Sequence, residues 1–433
     1  EAGDLLDRTS AKLLFTVTDF LDTDYVALLR DAGVGQGVGE TVILRGTVPD
    51  GCTSWDGFLE AATTVDDADR AARSAAVDPD DRCHVMFTSG TTGAPKGAIL
   101  RHGAICRGYL SWSEVIGLRE DDRYLVVNPF FHAFGLNAGI VACLLTGATL
   151  IPHPVFDVPA VMARVAEERI SMLPGPPAIY QTILNHPDLA DLDLSSLRLA
   201  VTGAAPVPVP LIHAMRDTLG FETVITGYGL TEASGIATMC RHDDPPEVIS
   251  GSSGRAIDGV EVLVVDADGD EVPRGEPGEV VVRGYNVMAG YLDDPDQTAE
   301  AVDADGWLHT GDIGVMDTDD YLDITDRLKD MFINGGFNVY PAEVEGQLLA
   351  HPDIAQVAVV GVPDERLGEV GMAFVVATSG TSPDPTELVA WARTEMANYK
   401  APRRFAVVDA LPANASGKVL KFELRARAAS AGT

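Results

Sequence analysis

Residues 86–97 read MFTSGTTGAPKG, a segment with four hydroxyl side chains, three glycines and one lysine that follows a proline. A strand is predicted directly before it, at 83–87, and a helical pattern begins after it at His102. Glycines let backbone N–H groups approach an anion closely, hydroxyl groups donate further hydrogen bonds, and Lys96 supplies positive charge. Composition alone favours a surface linker, but the position after a buried strand favours a phosphate-binding loop. The loop is not a Walker A sequence, because Pro95 occupies the place of its second glycine.

The composition limits the class of protein. The chain has 433 residues, of which 46% are hydrophobic, enough for a large core and two or more domains. With 31 Lys and Arg against 65 Asp and Glu, the net charge is −34, which disfavours binding of nucleic acid or anionic membranes by bulk attraction. The five cysteines form no CxxC pair or disulfide framework, which favours a reduced, cytoplasmic protein. No signal peptide and no membrane span are predicted.

Strand and helix patterns alternate from residue 85 to about 225. This alternation predicts an α/β fold, with a parallel sheet covered by helices on both faces. The predicted strands are VMFTS, YLVVNPF, ATLIP, SMLPG, LRLAVTG and TVITGYG. Because ligands of open α/β sheets gather beyond the carboxyl ends of the strands, functional residues are expected in the loops that follow. The first 80 residues are similar α/β material, with predicted strands at 13–20 and 41–46, a helix at 23–32 and an exposed connector at 67–82.

The pattern changes near Gly259 to antiparallel hairpins, the first at 260–284 around an Asp-Gly turn and the second at 308–327. After Arg327 it changes again, to a small α+β unit. The predicted elements of that unit are helices at 342–350 and 385–396 and strands at 355–362 and 371–378. We therefore predict two domains. The large one spans 1–328 and includes an antiparallel β subdomain at about 255–328, and a small mobile C-terminal domain spans 329–433.

Three loops other than the glycine-rich segment at 86–97 carry candidate functional residues. Glu232, in TGYGLTEAS, offers the carboxylate oxygens that suit Mg²⁺, but Thr231 and Glu232 alone would form an N-terminal helix cap. Asp312, in GWLHTGD, can accept hydrogen bonds from ribose hydroxyls, or belong to an ordinary turn. Lys418, in NASGKVLKFEL, would by itself be a solvated lysine. The segment DADGDE fails as a calcium loop, because Glu271 replaces the required glycine, and it predicts a hairpin turn instead.

In their order along the chain, seven segments resemble the motifs of the adenylate-forming superfamily of acyl- and aryl-CoA synthetases, non-ribosomal adenylation domains and luciferases. They are FTSGTTGAPKG, NPFFHAFG, VTGAAP, GYGLTE, GWLHTGD, DRLKDMFINGGFNVYPAEVE and NASGKVLK. The resemblance extends from about residue 85 to 424. Members usually carry a longer segment before the SGTTG loop, so the first subdomain is expected to be shorter than theirs. The resemblance implies that a carboxylic acid attacks the α-phosphorus of ATP with release of pyrophosphate, and that CoA then accepts the acyl group with release of AMP.

The resemblance also implies roles for individual residues. Glu232 would bind Mg²⁺, Thr231 would contact the α-phosphate, and Lys418 would bridge the carboxylate and the α-phosphate in the transition state, where charge develops. The residues assigned to the nucleotide are Thr88, Ser89, Gly90, Thr91, Thr92, Gly93 and Lys96 at the β- and γ-phosphates, Tyr228 and Gly229 at adenine, and Asp312 and Arg327 at ribose.

Lys418 and the phosphate loop belong to different predicted domains. The site is therefore expected to be complete only when the domains close, which also excludes water from a hydrolysable mixed anhydride. In the family, the C-terminal domain then rotates about a hinge, here Lys329. That rotation would withdraw Lys418 and bring Gly335 and Gly336 to the pantetheine of CoA.

The acid pocket is expected to be apolar. Amino-acid adenylation domains carry an aspartate after the aromatic residue of this region, and FFHAFG (130–135) has none, which argues against amino acids. The expected pocket residues are Phe131, His132, Gly139, Gly203, Ala204 and Ala205, with His132 also a catalytic candidate. Phe130 is expected to pack in a core. FFHAFG and VFDVPA are most similar to actinobacterial acyl-CoA synthetases, some of which act on remnants of sterol rings, so the expected acid is fatty or bulky and alicyclic.

Two alternatives to a complete acyl-CoA ligase stay open. One is an enzyme of the same fold that performs only adenylation or only thioester formation. The other is a non-catalytic protein that binds a nucleotide or an acyl group. The hinge segment has no insertion, which favours transfer to CoA. The expected partners are a small carboxylic acid, ATP and CoA, and a homodimer is one candidate assembly.

Overall fold

The computed structural model describes residues 2–35, 37–88, 95–203, 207–328, 330–335, 337–364, 366–413 and 419–431, with the backbone alone at Arg327, Asn338 and Ala431. The chain divides into two compact units, Glu1–Asp78 and Pro79–Thr433. Among the described residues, no helix combines the length and the apolar character needed to cross a membrane.

The first unit is a small parallel α/β structure. Its elements are α1 (Ala2–Arg8), β1 (Leu13–Val17), α2 (Tyr25–Asp31), β2 (Glu40–Arg45), β3 (Thr53–Ser54), α3 (Trp55–Ala61) and α4 (Asp67–Ala75). The strands form a parallel sheet in the order β1–β2–β3, which confirms the predicted strands of this region. The predicted connector instead contains α4, an exposed helix whose first turn is capped by Asp66, which accepts a hydrogen bond from the N–H of Ala68 at 2.8 Å.

The residues on either side of the glycine-rich loop, 86–88 and 96–97, lie in an antiparallel hairpin at the start of the second unit. The elements here are β4 (Arg82–Thr88), β5 (Lys96–Arg101) and α5 (His102–Ile116). Helix α5 begins at the predicted residue, but the prediction missed β5, and the glycine-rich loop joins two strands rather than a strand and a helix. The N-terminus of α5 therefore lies at the far end of β5 from the loop. The apolar run in KGAILR explains the error, because a short buried strand and the start of a helix share this pattern.

A parallel sheet forms the centre of the second unit. Its elements are β6 (Arg123–Val126), α6 (Ala133–Gly135), a π-helix (Leu136–Val141), α7 (Ala142–Thr146), β7 (Thr149–Pro152), α8 (Val158–Glu168), α9 (Pro177–Leu184), β8 (Leu199–Val201), α10 (Val209–Asp217) and β9 (Thr223–Ile225). The order is β7–β6–Met172–β8–β9, all parallel, as predicted. The prediction that VMFTS also belongs to this sheet is wrong, because residues 85–88 of that segment belong to β4 and pair antiparallel with β5. The predicted strand SMLPG contributes only the bridge residue Met172, because Pro174 has no N–H to continue the ladder. Strands β6, β8 and β9 are almost entirely buried, whereas the edge strand β7 is partly exposed.

The next region is antiparallel. It contains β10 (Gly227–Tyr228), β11 (Thr238–Met239), α11 (Pro246–Gly251), β12 (Arg255–Ala256), β13 (Val260–Val265), β14 (Pro277–Gly284), β15 (Gly290–Tyr291), α12 (Pro295–Ala301), β16 (Leu308–Met316) and β17 (Leu322–Arg327). Strands β13–β14–β16–β17 form an antiparallel sheet, which confirms both predicted hairpins. The segment DADGDE is the predicted hairpin turn, since the Asp266 carboxylate accepts hydrogen bonds from the N–H groups of Asp268 and Asp270 at 2.9 and 3.1 Å. Strand β15 pairs with β5 instead.

The last hundred residues form a sheet with its own hydrophobic clusters. The elements are β18 (Phe332–Asn334), β19 (Phe337–Val339), α13 (Pro341–Leu348), β20 (Ile354–Asp364), β21 (Gly368–Ala377), α14 (Pro385–Glu395), β22 (Arg404–Val407) and α15 (Lys421–Ala431). The strand order is β19–β18–β21–β20, and β22 pairs in parallel with β21. The two clusters pack residues from Phe332 onward. The predicted strands and helices are confirmed, and the domain boundary at 328/329 stays a prediction.

The cysteines are expected to differ sharply in reactivity. Cys106 is exposed, whereas Cys143 and Cys240 are buried. Burial raises the pKa of the Cys143 thiol to about 12 and also raises the pKa of Cys240, so both hold little reactive thiolate at pH 8. Brief treatment of the folded protein with iodoacetamide should modify Cys106 and spare the other two, as read by peptide mass spectrometry. All three should react in denaturant, and modification of Cys143 in the folded protein as fast as Cys106 would contradict the expectation.

Candidate active site

Several predicted site residues lie outside the described part of the chain, so their roles stay predictions. These are Ser89, Gly90, Thr91, Thr92, Gly93, Ala204, Ala205, Lys329, Gly336 and Lys418, together with the side chain of Arg327. The structure does describe the residues that flank Lys418. Ala413 and Val419, on either side of 414–418, form an antiparallel bridge, so the two ends of the segment that carries Lys418 lie side by side.

The base of the glycine-rich loop is held by the hairpin. Thr88, the last residue of β4, lies opposite Lys96, the first residue of β5. The Thr88 hydroxyl donates a hydrogen bond to the carbonyl oxygen of Lys96 at 3.4 Å. Two predicted phosphate-binding residues therefore lie side by side where the loop leaves the sheet.

Glu232 and Lys96 both contact Tyr291. The Tyr291 hydroxyl donates a hydrogen bond to Glu232 Oε1 at 2.8 Å, and the Lys96 Nζ lies 5.0 Å from the centre of the tyrosine ring. Burial, together with the neighbouring Glu232 carboxylate, raises the pKa of the Tyr291 phenol, which therefore stays a hydrogen-bond donor at neutral pH. The structure thus brings the predicted metal ligand and the predicted phosphate lysine to one aromatic side chain.

The segment that carries Glu232 is a short fixed turn. Residues Thr231–Ala233 form a single 3₁₀ turn, and no α-helix follows, so the alternative of an N-terminal helix cap is wrong. Ser234 has a left-handed backbone, with φ of 57°, and its hydroxyl donates to the Asn286 carbonyl at 2.7 Å. Such a conformation in a residue other than glycine is uncommon and needs support from its surroundings. The hydrogen bond to Asn286 supplies it.

The same turn packs tightly against the FFHAFG segment. Gly235 has φ of 93°, and a Cβ atom there would lie 2.7 Å from the Cβ of Ala133 and 2.5 Å from the hydroxyl oxygen of Tyr109. Both distances are shorter than carbon and oxygen atoms tolerate without rearrangement. The segment that carries Glu232 therefore directly contacts the FFHAFG segment, which is predicted to line the acid pocket.

The structure also joins two predicted nucleotide ligands. The Tyr228 hydroxyl donates to Asp312 Oδ2 at 2.6 Å, although the two residues are 84 positions apart in sequence. Asp312 is 5% exposed, and it lies opposite Arg327 in the β16–β17 pair. Its own N–H donates to the Thr310 hydroxyl at 3.1 Å. Tyr228, the predicted adenine contact, therefore lies next to the strand pair that carries Asp312 and Arg327, the predicted ribose ligands.

The FFHAFG segment follows β6 and exposes its first two aromatic side chains, whereas Phe134 packs against the core. Phe131 is 69% exposed and Phe130 is 41% exposed, so the expectation that Phe130 packs in a core is wrong. His132 caps the short helix α6, since its Nδ1 accepts a hydrogen bond from the N–H of Phe134 at 3.2 Å. Gly139 is buried, and a Cβ there would lie 3.0 Å from the Val126 side chain. At Gly203, just after β8, the nearest atom that a Cβ would meet among the described residues is the Gly227 carbonyl oxygen, at 3.8 Å.

Two other predicted glycines have different reasons for lacking a side chain. At Gly229, a Cβ would lie 2.3 Å from the Gly235 carbonyl oxygen, so glycine is required there by backbone packing. Gly335 has φ of 60° in the turn between β18 and β19, and its N–H donates to the Leu367 carbonyl at 2.8 Å. Both positions are explained by the fold whatever they contact in addition.

The sequence reasoning missed Tyr291, Ser234 and Asn286, which support Glu232. Tyr291 lies in MAGYL, which has no glycine-rich or charged pattern, and it is 59 positions from Glu232. A weak signal was available in Gly290, whose presence inside a short strand indicates a close approach of another chain segment. The segment that approaches Gly290 is α12, since a Cβ atom at position 290 would lie 2.9 Å from the Thr298 side chain, and the strand itself pairs with β5, which carries Lys96.

Comparison with known proteins agrees with this architecture. The model of the AMP-binding enzyme family matches residues 1–292, and that of the AMP-binding enzyme C-terminal domain matches residues 343–418. The chain belongs to the AMP-binding enzyme family. It is thus an acyl-CoA ligase, an acid–thiol ligase that uses ATP to form an acyl-adenylate and transfers the acyl group to CoA with release of AMP and pyrophosphate. The predicted superfamily and fold class are confirmed.

Two curated relatives and one solved structure illustrate the similarity. The chain is 51% identical over 429 residues, 98% of this chain and 81% of the relative, to the 3-[(3aS,4S,7aS)-7a-methyl-1,5-dioxo-octahydro-1H-inden-4-yl]propanoyl:CoA ligase of Rhodococcus jostii. It is 44% identical over 368 residues, 84% of this chain and 74% of the relative, to the feruloyl-CoA synthase of an Amycolatopsis species. The crystal structure of ATP-bound MatB from Rhodopseudomonas palustris matches with a TM-score of 0.83 at 30% identity, covering 99% of this chain and 81% of that chain.

Proposed function

We propose that this ligase activates a propanoic acid carried on a fused alicyclic ring system. The observation that carries the proposal is the 51% identity, over 98% of the chain, to the Rhodococcus ligase named for such an acid. The FFHAFG segment adds support, because it offers exposed aromatic side chains and no carboxylate to pair with a substrate amine. A rigid, mostly apolar ring can pack against such aromatic side chains.

Mg²⁺ is the metal proposed for the site, with Glu232 as its protein ligand. The hydrogen bond from Tyr291 occupies Oε1 of Glu232 and leaves Oε2 for a cation. Within the described residues, no three His, Cys, Asp or Glu side chains gather as a metal site. Mg²⁺ fits a single carboxylate, since it keeps several waters and is commonly completed by substrate phosphates. When bound, the ion would neutralise charge on the phosphates of ATP.

The remaining residues are proposed to hold ATP in the orientation required for reaction. Thr88 and Lys96, fixed side by side at the base of the loop, would contact the β- and γ-phosphates. Tyr228 would lie against adenine, and its hydrogen bond would orient the Asp312 carboxylate toward the ribose hydroxyls. Such preorganisation lowers the entropic cost of bringing the acid and the α-phosphorus together.

Lys418 is proposed to act in the first half-reaction, and the C-terminal domain to rotate about Lys329 before the second. The described residues on either side of Lys418, Ala413 and Val419, are joined by an antiparallel bridge. Gly335, in its left-handed turn, would face the pantetheine of CoA after the rotation. A homodimeric assembly and a cytoplasmic location remain predictions from the sequence.

The test is a coupled assay of AMP release with a panel of acids, each with and without CoA. The panel contains the hydrindane-dione propanoate named above, ferulate, 4-coumarate, malonate and palmitate. We expect the ring propanoate to have the highest kcat/KM, by at least about tenfold, because shape and size differences of several carbons exceed the discrimination of a single methylene. AMP formation should be sustained only when CoA is present.

Two outcomes would contradict the proposed function. Preference for ferulate or palmitate would overturn the choice of acid while keeping the ligase activity. ATP–pyrophosphate exchange with the preferred acid, but no thioester when CoA is added, would indicate an enzyme limited to the first half-reaction.

A further inference from the structure

Tyr291 lies outside all the motifs that define the site, yet its backbone is firmly placed beside the phosphate loop. Strand β15 pairs antiparallel with β5, with Gly290 opposite Ile99 and Tyr291 opposite Ala98. The pairing is extended at its end by a hydrogen bond from the N–H of Leu292 to the Gly97 carbonyl at 2.7 Å. Tyr291 is thus fixed to the strand that begins with Lys96.

The Tyr291 side chain contacts two groups of opposite charge, the Glu232 carboxylate and the Lys96 ammonium group. Its hydroxyl donates to Glu232 Oε1 at 2.8 Å, and its ring lies 5.0 Å from the Lys96 Nζ, within the range of a cation–π interaction. Both contacts are made in a half-buried position, where electrostatic interactions are stronger than in water. Among the described residues, the polar contact found for each of these two side chains is the one with Tyr291.

A direct pair between Lys96 and Glu232 would be harmful in a nucleotide site. A carboxylate bonded to an ammonium group is a weaker ligand for a cation, and the ammonium group is less available to a phosphate. The ring gives Lys96 a favourable partner that carries no negative charge, and the hydroxyl fixes Glu232 through one oxygen. Partners of this kind orient metal ligands and commonly change metal affinity by about 10- to 100-fold.

We propose that Tyr291 is a positioning residue that keeps Lys96 and Glu232 apart and holds each ready for its own part of the magnesium–ATP complex. The proposal rests on the proposed role of Glu232 as the magnesium ligand. It assigns separate tasks to the two parts of the side chain, the hydroxyl acting on the metal ligand and the ring acting on the phosphate lysine.

The test measures ATP binding to the full-length protein by isothermal titration calorimetry, once in EDTA and once in excess Mg²⁺. Tyr291→Phe keeps the ring and loses the hydroxyl, so we expect ATP affinity in EDTA to be unchanged and affinity in Mg²⁺ to fall about tenfold. Tyr291→Leu loses both contacts, and we expect affinity to fall in both conditions. In steady-state assays, Tyr291→Phe should raise the KM for MgATP and leave the KM for the acid unchanged.

Tyr321→Phe is the matched control. Tyr321 also donates its hydroxyl to a carboxylate, Asp244, at 2.5 Å, but at a different place in the fold. This variant should bind ATP as the unmodified protein does in both conditions. Equal loss in Tyr321→Phe and Tyr291→Phe, or a Tyr291→Phe protein that loses affinity equally with and without Mg²⁺, would overturn the proposal.

The variant Glu232→Gln distinguishes the role proposed for Tyr291 from the role proposed for Glu232 as the magnesium ligand. If Glu232→Gln removes the effect of Mg²⁺ on ATP affinity and Tyr291→Phe does not, the role of Tyr291 is wrong and that of Glu232 stands. If Glu232→Gln leaves the effect of Mg²⁺ intact, the metal assignment itself is wrong. When both are right, Tyr291→Phe added to Glu232→Gln should cause no further loss in Mg²⁺.

Discussion

Replacing Lys418 with alanine is expected to slow acyl-adenylate formation about 10²- to 10³-fold, which corresponds to about 3–4 kcal/mol of transition-state stabilisation. The physical reason is anionic crowding. A carboxylate must approach a polyphosphate inside a protein with a net charge of −34, and a single ammonium group placed between the reacting anions offsets their repulsion where it is largest. In the second half-reaction no carboxylate has to approach a polyphosphate, because the acyl-adenylate is already formed. Thioester formation from supplied acyl-adenylate and CoA should therefore stay near the unmodified rate.

The two half-reactions can be measured separately in the same preparations. ATP–pyrophosphate exchange reports the first, and loss of synthetic acyl-adenylate in the presence of CoA reports the second. Lys421→Ala is the matched control, because Lys421 belongs to the same domain and its ammonium group is held in an ion pair with Glu345 at 2.8 Å. It should leave both rates largely unchanged. A Lys418→Ala protein that loses both half-reactions equally would rule out the proposed role.

Asp122→Ala is expected to reduce the free energy of unfolding by about 3–5 kcal/mol. The Asp122 side chain is 2% exposed, and its Oδ2 accepts a hydrogen bond from Arg198 Nη2 at 2.5 Å. Its Oδ1 accepts from the Ser171 hydroxyl at 2.7 Å and from Arg198 Nε at 3.0 Å. Asp122 directly precedes β6, Arg198 directly precedes β8, and Ser171 precedes the bridge residue between them. One carboxylate therefore fixes the start of three neighbouring segments of the parallel sheet, and its removal leaves a largely buried guanidinium without its counter-charge.

Urea-induced unfolding, followed by tryptophan fluorescence, measures this effect. The control is Asp121→Ala, which removes the adjacent carboxylate from an exposed position and should change stability by less than about 0.5 kcal/mol. Asp122→Asn should fall between the two, since it keeps the shape and part of the hydrogen bonding. Equal midpoints for Asp122→Ala and Asp121→Ala would show that the buried pair contributes little.

The fold was predictable from the sequence wherever hydrophobic periodicity was unambiguous. The parallel strands from residue 123 to 225 and the hairpins after residue 259 were mostly placed correctly, because buried strands and Asp-Gly turns have strong local signals. The predicted strand VMFTS is a strand, but it belongs to an antiparallel sheet rather than to the parallel one. Strand β5 was missed because its apolar run directly precedes a real helix. Helix α4 was missed because its residues are exposed and the face that recurs at helical spacing consists only of alanines, at positions 68, 71, 72 and 75. That spacing and the cap at Asp66 were the available signals.

The sequence predicts a set of site residues but not how these residues contact one another. Tyr228 and Asp312 were both predicted, from separate motifs, yet nothing in either motif indicates that one donates a hydrogen bond to the other. Such contacts depend on how β10 and β16 are brought together, which is a property of the whole fold. Tyr291 was missed for the same reason, since its role arises from strand pairing rather than from a local pattern.

The close packing of Gly235 against Ala133 has a consequence for changing the substrate range of this enzyme. Ala133 belongs to the segment that an engineer would vary first to admit a larger or smaller acid, and its Cβ faces the turn that carries Glu232. A bulkier residue at position 133 is expected to displace that turn, and with it Glu232, the proposed magnesium ligand, so that selection for a new acid would also change the response to ATP. Libraries that vary residues 130–135 together with 228–235 should therefore yield active variants more often than libraries that vary either segment alone.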